Sequence, residues 1–332
     1  MRKWFVAVTL VLASCVGCSS EESVATVSPS APVAPATPTQ TLGCELPVFG
    51  SGGIPGDTAH GPNGAGFVGV PGGEFTFDPT GNLSFYFNHT YDWTVRRWLP
   101  MWRDALAPDG LHYFMPNNST DQWDLVDARN DTHRALVATK DWNATSYQAE
   151  GIYLDKGGVL HGPPGLWLLD PATAAIRKVS EQSWASVGAG AAWGFDGPGE
   201  QSPLVGTTLR RLDLKSGEVT TWFTNDGAAY RVYGHDQAGR PLLATIDTSS
   251  PLRGVSPIDI FLLTAPGKLV KIASPNGDPF KPQADPVSDE HGIWFASGTG
   301  IWLYSEGSLA EVAKLSGSGD FMVAGNCSSL PA

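Results

Sequence analysis

Basic residues are scarce in this chain: 21 Lys and Arg stand against 33 Asp and Glu, leaving a formal net charge of −12. Nucleic acid needs a basic footprint to displace its counterions, so that class of partner is excluded. An anionic membrane surface is an equally poor match. Long apolar runs are also lacking. The best stretch, Trp4 to Ala13, is about ten residues, half of the ~20 that span a bilayer. Seven histidines, at 60, 89, 112, 133, 161, 235 and 291, form no His-x-His or His-x-x-x-His pair, so the spacing implies no metal site and no cofactor. There is no Gly-x-Ser-x-Gly elbow and no phosphate-binding glycine loop in a strand-to-helix setting. Catalysis therefore has no local signature.

Turn formers and aromatics are plentiful. The 332 residues include 39 Gly, 26 Pro and 12 Trp, and 42% of the chain is hydrophobic. That composition predicts many turns, few long helices and a sizeable core.

The N-terminus reads as an address. Arg2 and Lys3 precede the short apolar stretch as in a secretory signal. The stretch ends Leu12-Ala13-Ser14-Cys15, which resembles the bacterial lipobox, whose cysteine takes the lipid and becomes the mature N-terminus. Cys18, after Val16-Gly17, is the second candidate. From Ser19 to Thr41 the chain is Ser, Thr, Pro, Ala and Val with few large side chains, and prolines 29, 32, 35 and 38 favour an extended backbone. The expected organisation is a signal peptide over 1–14, a lipid-anchored stalk over 15–43 and one domain over 44–332. The expected location is the bacterial cell envelope, with membrane contact through the lipid alone.

Two cysteines remain, Cys44 and Cys327, bracketing the domain. In an oxidising compartment they are expected to form a disulfide joining its ends, worth ~4–5 kcal/mol in the chain-entropy picture.

A repeat fills the space between them. An Asp-then-Gly turn before an apolar run occurs in "FDPTGNLSFYF", "APDGLHYF", "YLDKGGVL", "GFDGPG", "HDQAGRPLLATI" and "SDEHGIWFA". A strand, polar turn and second strand recur in "WDLVDARNDTHRALV", "LWLLDPATAAIRKV", "LRRLDLKSGEVTTWF", "IFLLTAPGKLVKIA" and "IWLYSEGSLAEVAKL", starting about 40 to 50 residues apart. About four short strands per period is the pattern of a β-propeller blade. The expected fold is all-β, with six four-stranded blades over Gly66–Trp98, Trp102–Thr139, Tyr147–Ser180, Trp184–Phe223, Tyr230–Ala273 and Pro282–Leu315. A seventh blade is the alternative, should Gly43–Val70 contribute more strand. The Gly-rich 51–66 segment reads as loop. The left-over strand Asp320–Gly325 is expected to close the ring beside Phe67–Val70.

"DEHGIWFASGTGIWLY", Asp289 to Tyr304, resembles the repeats of two-component-regulator sensor propellers and of virginiamycin-lyase-like propellers. The match is good in this blade and looser in the rest. The resemblance implies a propeller, and the lyases' catalytic His and metal-binding carboxylate fall on no matching motif here.

Blade junctions carry aromatics, three of them followed by a cation: Trp102-Arg103, Trp142, Trp184, Tyr230-Arg231 and Phe280-Lys281. At a channel mouth, this set would suit an anionic or sugar-like ligand. If it packs between blades, it is core. The sequence thus favours a monomeric, surface-anchored binding or interaction module for a small molecule, a glycan or an envelope protein. The alternative is an extracellular lyase or hydrolase acting at the channel mouth.

Overall fold

In the computed structural model of the chain, the described residues are 42–50, 64–81, 90–136 (without 102, 104–105, 108, 118 and 120–121), 142–148, 151–156, 165–196, 204–246, 259–276, 280–315 and 321–329. Side chains of 116, 122, 142–148 and 151–156 are outside the description. Cys15, Cys18, the signal peptide and nearly all of the stalk lie outside the described residues.

The fold is all-β. Apart from one 3-10 turn at Pro79–Gly81, every regular element among the described residues is a strand. In chain order, β1 (Cys44–Gly50), β2 (Gly64–Val70) and β3 (Phe75–Phe77) are followed by the hairpin β4 (Thr90–Asp92) and β5 (Arg97–Leu99). A three-stranded sheet follows: β6 (His112–Asn117), β7 (Gln122–Asp127) and β8 (Thr132–Leu136). Next come β9 (Trp142–Gln148), β10 (Gly151–Lys156), β11 (Leu166–Leu169) and β12 (Ile176–Ser180). The following sheet is β13 (Ser186–Gly188), β14 (Ala191–Asp196), β16 (Thr208–Asp213) and β17 (Val219–Thr224). Short β15 (Val205–Gly206) adds to the edge of β18 (Tyr230–His235), β19 (Pro241–Thr245), β20 (Ile260–Ala265) and β21 (Lys268–Ile272). The last full meander is β22 (Val287–Asp289), β23 (Gly292–Ser297), β24 (Gly300–Ser305) and β25 (Ser308–Lys314). Finally β26 (Phe321–Val323) returns to the start, giving the order β26-β1-β2-β3.

This is a β-propeller in which five sheets of four or five strands form blades. The expected six or seven is not matched. The Trp102–Thr139 repeat yields only three strands plus an isolated bridge, Leu106 to Tyr113. The expected Gly66–Trp98 blade is divided, since β2 and β3 belong to the closing sheet and β4–β5 pair only with each other.

The closing strand also pairs one step away from expectation. β26 lies against Val48–Gly50 of β1, and Phe67–Val70 sits on the far side of β1. Strand β1 is masked in sequence by Pro47, because proline is unusual in a strand paired on both sides. Here the Pro47 carbonyl accepts from Ala324 N at 2.8 Å. The amide nitrogen and carbonyl of one residue project to the same side, so the missing donor faces beyond the end of β26 and leaves the ladder to β2 whole. Gly64–Gly66, read as loop, are the first residues of β2.

The turns follow local chemistry. The side chains of Asp78, Asp92, Asp109, Asp127, Asp170, Asp213 and Asp289 each accept a backbone N–H two residues on, the closure that makes Asp a turn residue. At the outer hairpins Gly217, Gly267 and Gly307 adopt φ of 75°, 71° and 83°, the left-handed region that glycine enters without steric cost.

Each sheet is apolar on both faces because it packs between two neighbours. In β23, Trp294 and Ala296 join a core with Leu46, Val48, Val68 and Val70 of the closing sheet. Ile293 and Phe295 face the other way, against Tyr233, Leu242, Ala244, Ile260 and Leu262. That two-sided demand explains the unbroken apolar run Ile293-Trp294-Phe295-Ala296, where a one-sided sheet would alternate.

The ends meet as expected. Cys44 and Cys327 form a disulfide with Cα atoms 5.6 Å apart across a sequence separation of 283. Glu45 and Ser328 exchange backbone hydrogen bonds of 2.9 and 3.1 Å beside it. Buried Asp289 fixes the same corner to the last blade, its Oδ2 accepting from Cys327 N at 2.9 Å. Replacing Cys327 by Ser is expected to lower unfolding free energy by about 2–5 kcal/mol. Amide exchange should then rise first in Phe321–Val323 and Val48–Gly50. An even rise through all sheets would contradict a seam that opens first.

Candidate functional site

The strands β9, β13 and β18 run beside one another from sheet to sheet, and β15 adds outside β18 at Val205–Gly206. Polar side chains on β18 and β22 tie the blades together. Ser288 on β22 donates through Oγ to the carbonyl of His235 on β18. Tyr233 on β18 donates through Oη to the Ala284 carbonyl at 2.5 Å. Glycines permit these approaches. A Cβ on Gly234 would sit 2.9 Å from Pro286 Cγ, and one on Gly188 would sit 2.7 Å from His235 Cδ2.

His235 reaches across to β13, where Ser186 Oγ lies 3.5 Å from Nδ1 and 3.4 Å from Nε2. The hydroxyl is nearly equidistant from the two ring nitrogens and at the long limit of a hydrogen bond to each, so the geometry shows no short serine–histidine bond of the kind that activates a nucleophile. Burial, opposed by the nearby Asp236 carboxylate, pushes the imidazole down to about 4. A histidine held neutral this way contributes stability above its ordinary value near 6.5, and that stability is lost as pH falls toward 4. The fold is therefore expected to lose on the order of 2 kcal/mol from this group between pH 6.5 and 4. His235→Gln should flatten that part of a melting-temperature profile. An unchanged profile would show that other groups govern acid unfolding.

The junction residues separate into two kinds. Trp184 and Phe280 are buried, as is Tyr230. Trp184 donates through Nε1 to Ser180 Oγ at 3.1 Å and carries the Arg210 guanidinium 5.3 Å from its ring. Tyr230 packs edge-on to Phe223 and takes a 2.9 Å bond from Asn225. Phe280 packs edge-on to Phe295. These three rings are interblade core and offer no face to a ligand, because each packed sheet needs apolar bulk where the next one begins. Trp102 lies outside the described residues, and Trp142 opens β9 with its side chain outside the description. Arg103 donates to Asn326 Oδ1. Lys281 is exposed, and its carbonyl accepts from Ser297 Oγ at 2.7 Å.

Arg231 stands apart. Arg97, Arg129, Arg210, Arg211 and Arg240 each hold a carboxylate. Arg231 has no carboxylate or hydrogen-bond acceptor among the described residues, and its Nε is buried without a partner. Its guanidinium lies 5.0 Å from the ring centre of Tyr233, two residues on and hence on the same face of the strand. Across the blade boundary sits Asp285, accessible to solvent. Its surroundings are nevertheless protein enough that desolvation holds its carboxyl above the usual range, with Arg231 opposing. Arg231 is one of the candidates named from the sequence; Tyr233 and Asp285 are not, since no local pattern marks them. A further group, Asp289, Glu290 and His291, brings three possible metal-ligand atoms within 4.8 Å. Asp289 there already accepts from two backbone amides.

Among solved structures, the chain is similar to TolB from Acinetobacter baumannii, with 14% identity over 82% of this chain and 66% of that one, and a TM-score of 0.38. It is also similar to the Pyrococcus horikoshii acylaminoacyl peptidase, with 15% identity over 60% of this chain and 36% of that one, and a TM-score of 0.35. For the tricorn protease the values are 11%, 77%, 28% and 0.36. The chain thus spans under two thirds of each of these structures. No family model and no curated protein matches the sequence.

If Phe280 is packing, Phe280→Ala should cost about 3–5 kcal/mol of stability and leave ligand affinity unchanged in the folded fraction. Denaturant melts paired with binding titrations would separate the two roles.

Proposed function

We propose that this chain is a lipid-anchored, extracytoplasmic β-propeller of the bacterial cell envelope that serves as a ligand-binding or protein-interaction module. The propeller fold supports an interaction role. The observation that carries the binding site is Arg231, a cation on β18 stacked on Tyr233 and left without an acceptor, on a protein of net charge −12. A buried guanidinium donor without a partner is costly, and an anionic or polar ligand group would supply what the fold withholds. The polar contacts from β18 to β22 hold this wall rigid, which lowers the ordering cost of binding.

In this reading Cys15 carries the lipid, the 15–43 stalk holds the propeller off the membrane, and contact with the bilayer is through the lipid alone. The three-stranded sheet β6–β8 is the sixth blade, with the chain at Leu106 standing where its fourth strand would pair.

A binding screen of the detergent-solubilised chain against glycans and small anions tests the module. At least one ligand should bind wild type and lose tenfold or more in affinity with Arg231→Ala. Equal affinity in that variant would remove Arg231 from the site. Cys15→Ser should move the protein from the membrane fraction to the soluble one, and unchanged partitioning would remove Cys15 as anchor.

A further inference from the structure

We propose that the wall between β18 and β22 binds a carboxylate monoanion, gripped by Arg231 and selected over dianions by Asp285. The inference rests on the reading of Arg231 as the ligand-facing cation and narrows it to one ligand class.

Three observations support it. First, a guanidinium is a planar fork whose donors match the two oxygens of a carboxylate. Arg231 is held for that use, with one face over the Tyr233 ring, and that ring is itself pinned across the blade boundary by the bond from its Oη to the Ala284 carbonyl. Its buried Nε has no partner among the described residues, which leaves the fork with a donor for a ligand to satisfy. Second, among the described residues the site offers one cation. Asp285 is accessible on the opposite side, and no hydrogen bond or ion pair links it to a described residue. Pro286, packed over Gly234, fixes the backbone that carries it. An incoming dianion would meet this carboxylate with twice the repulsion felt by a monoanion. Third, the groups that act on Asp285 from across the boundary are Arg231 and Tyr233, both on β18. The Tyr233 hydroxyl is held well above its ordinary value, chiefly by burial, so it stays neutral.

The pH dependence has a definite sign. Desolvation raises the Asp285 carboxyl, so it takes up a proton at higher pH than an ordinary carboxylate. Once protonated, it no longer repels the ligand and can donate an O–H to it. Affinity should therefore increase as pH falls from 8 to 5. His235 stays neutral across most of that range, which leaves the change to Asp285.

Benzoate and sulfate serve as probes because neither changes charge between pH 5 and 8. The full chain in detergent is titrated with each, reading affinity by calorimetry and the Arg231 Nε–Hε signal by NMR. Benzoate is expected to shift that signal and to bind more tightly at pH 5 than at pH 8, with sulfate weaker than benzoate throughout. Asp285→Asn should flatten the benzoate profile, bind more tightly at pH 8 and admit sulfate, while Arg231→Gln should lose both. Sulfate binding wild type as well as benzoate, or an unflattened profile in Asp285→Asn, overturns the carboxylate assignment. If a neutral glycan moves the Arg231 signal and benzoate does not, the Arg231 site stands and the ligand class falls. If no probe moves it, or if Arg231→Gln binds every ligand as wild type does, the reading of Arg231 as ligand-facing falls with it.

Discussion

Ring closure is the constraint on which the rest of this structure depends. Within the single chain, the closing sheet takes strands from both ends, and the ring shuts where β26 pairs with β1 and residue 327 returns to residue 44. The pairing there is short, since β26 matches β1 at three positions. The remaining C-terminal residues make up the deficit by touching several elements at once. Ala324 donates to Pro47, and its carbonyl accepts from Tyr91 N at 2.8 Å on the β4–β5 hairpin. The Asn326 carbonyl accepts from Trp93 Nε1 at 2.8 Å. Cys327 binds Cys44 covalently and Asp289 through its amide. One short segment thus couples the closing sheet, the hairpin and the last blade. Three ladder positions could not do so, because edge pairing alone is easily frayed.

That closure explains how polar groups are used at the blade boundaries. Blades packed only by apolar faces could slide over one another, since hydrophobic contact is non-directional. Directed bonds such as Tyr233 to Ala284 and Ser288 to the His235 carbonyl fix the angular position of each blade. Glycines at 188 and 234 let the strands come close enough to make them. Arg231 Nε, like the indole nitrogens of Trp193, Trp294 and Trp302, is buried without an acceptor, and of these groups it alone carries a charge, the kind of departure from local consistency that tends to fall at functional sites.

What could be read from sequence divides along the same line between local and distant chemistry. The five outer hairpins, from "WDLVDARNDTHRALV" to "IWLYSEGSLAEVAKL", fold as β7–β8, β11–β12, β16–β17, β20–β21 and β24–β25. Their Asp and Gly turns are set by residues within a few positions of one another. The disulfide was legible too, because two isolated cysteines leave a single pairing. The partner of β26 was not, since pairing across nearly the whole chain leaves no local mark and Pro47 disguises the strand that receives it. Aromatic residues at blade junctions show the same limit. Hydrophobicity marks Trp184, Tyr230 and Phe280 as needing cover, but only packing decides whether a neighbouring sheet or a ligand supplies it. For Arg231 the neighbouring ring in sequence, Tyr230, turned into the core, and the ring it stacks on is Tyr233.

The acidity of the chain bears on what such a site can hold. A net charge of −12 opposes the approach of any anion, so long-range steering slows its capture. Binding must then come from short-range geometry, and the guanidinium fork supplies that where a point charge would not. The same field penalises a dianion more than a monoanion before either reaches the wall, and Asp285 repeats the discrimination at contact. At the proposed site, local arrangement and global charge would therefore select in the same direction, toward a singly charged, planar group presented by a ligand otherwise neutral enough to approach.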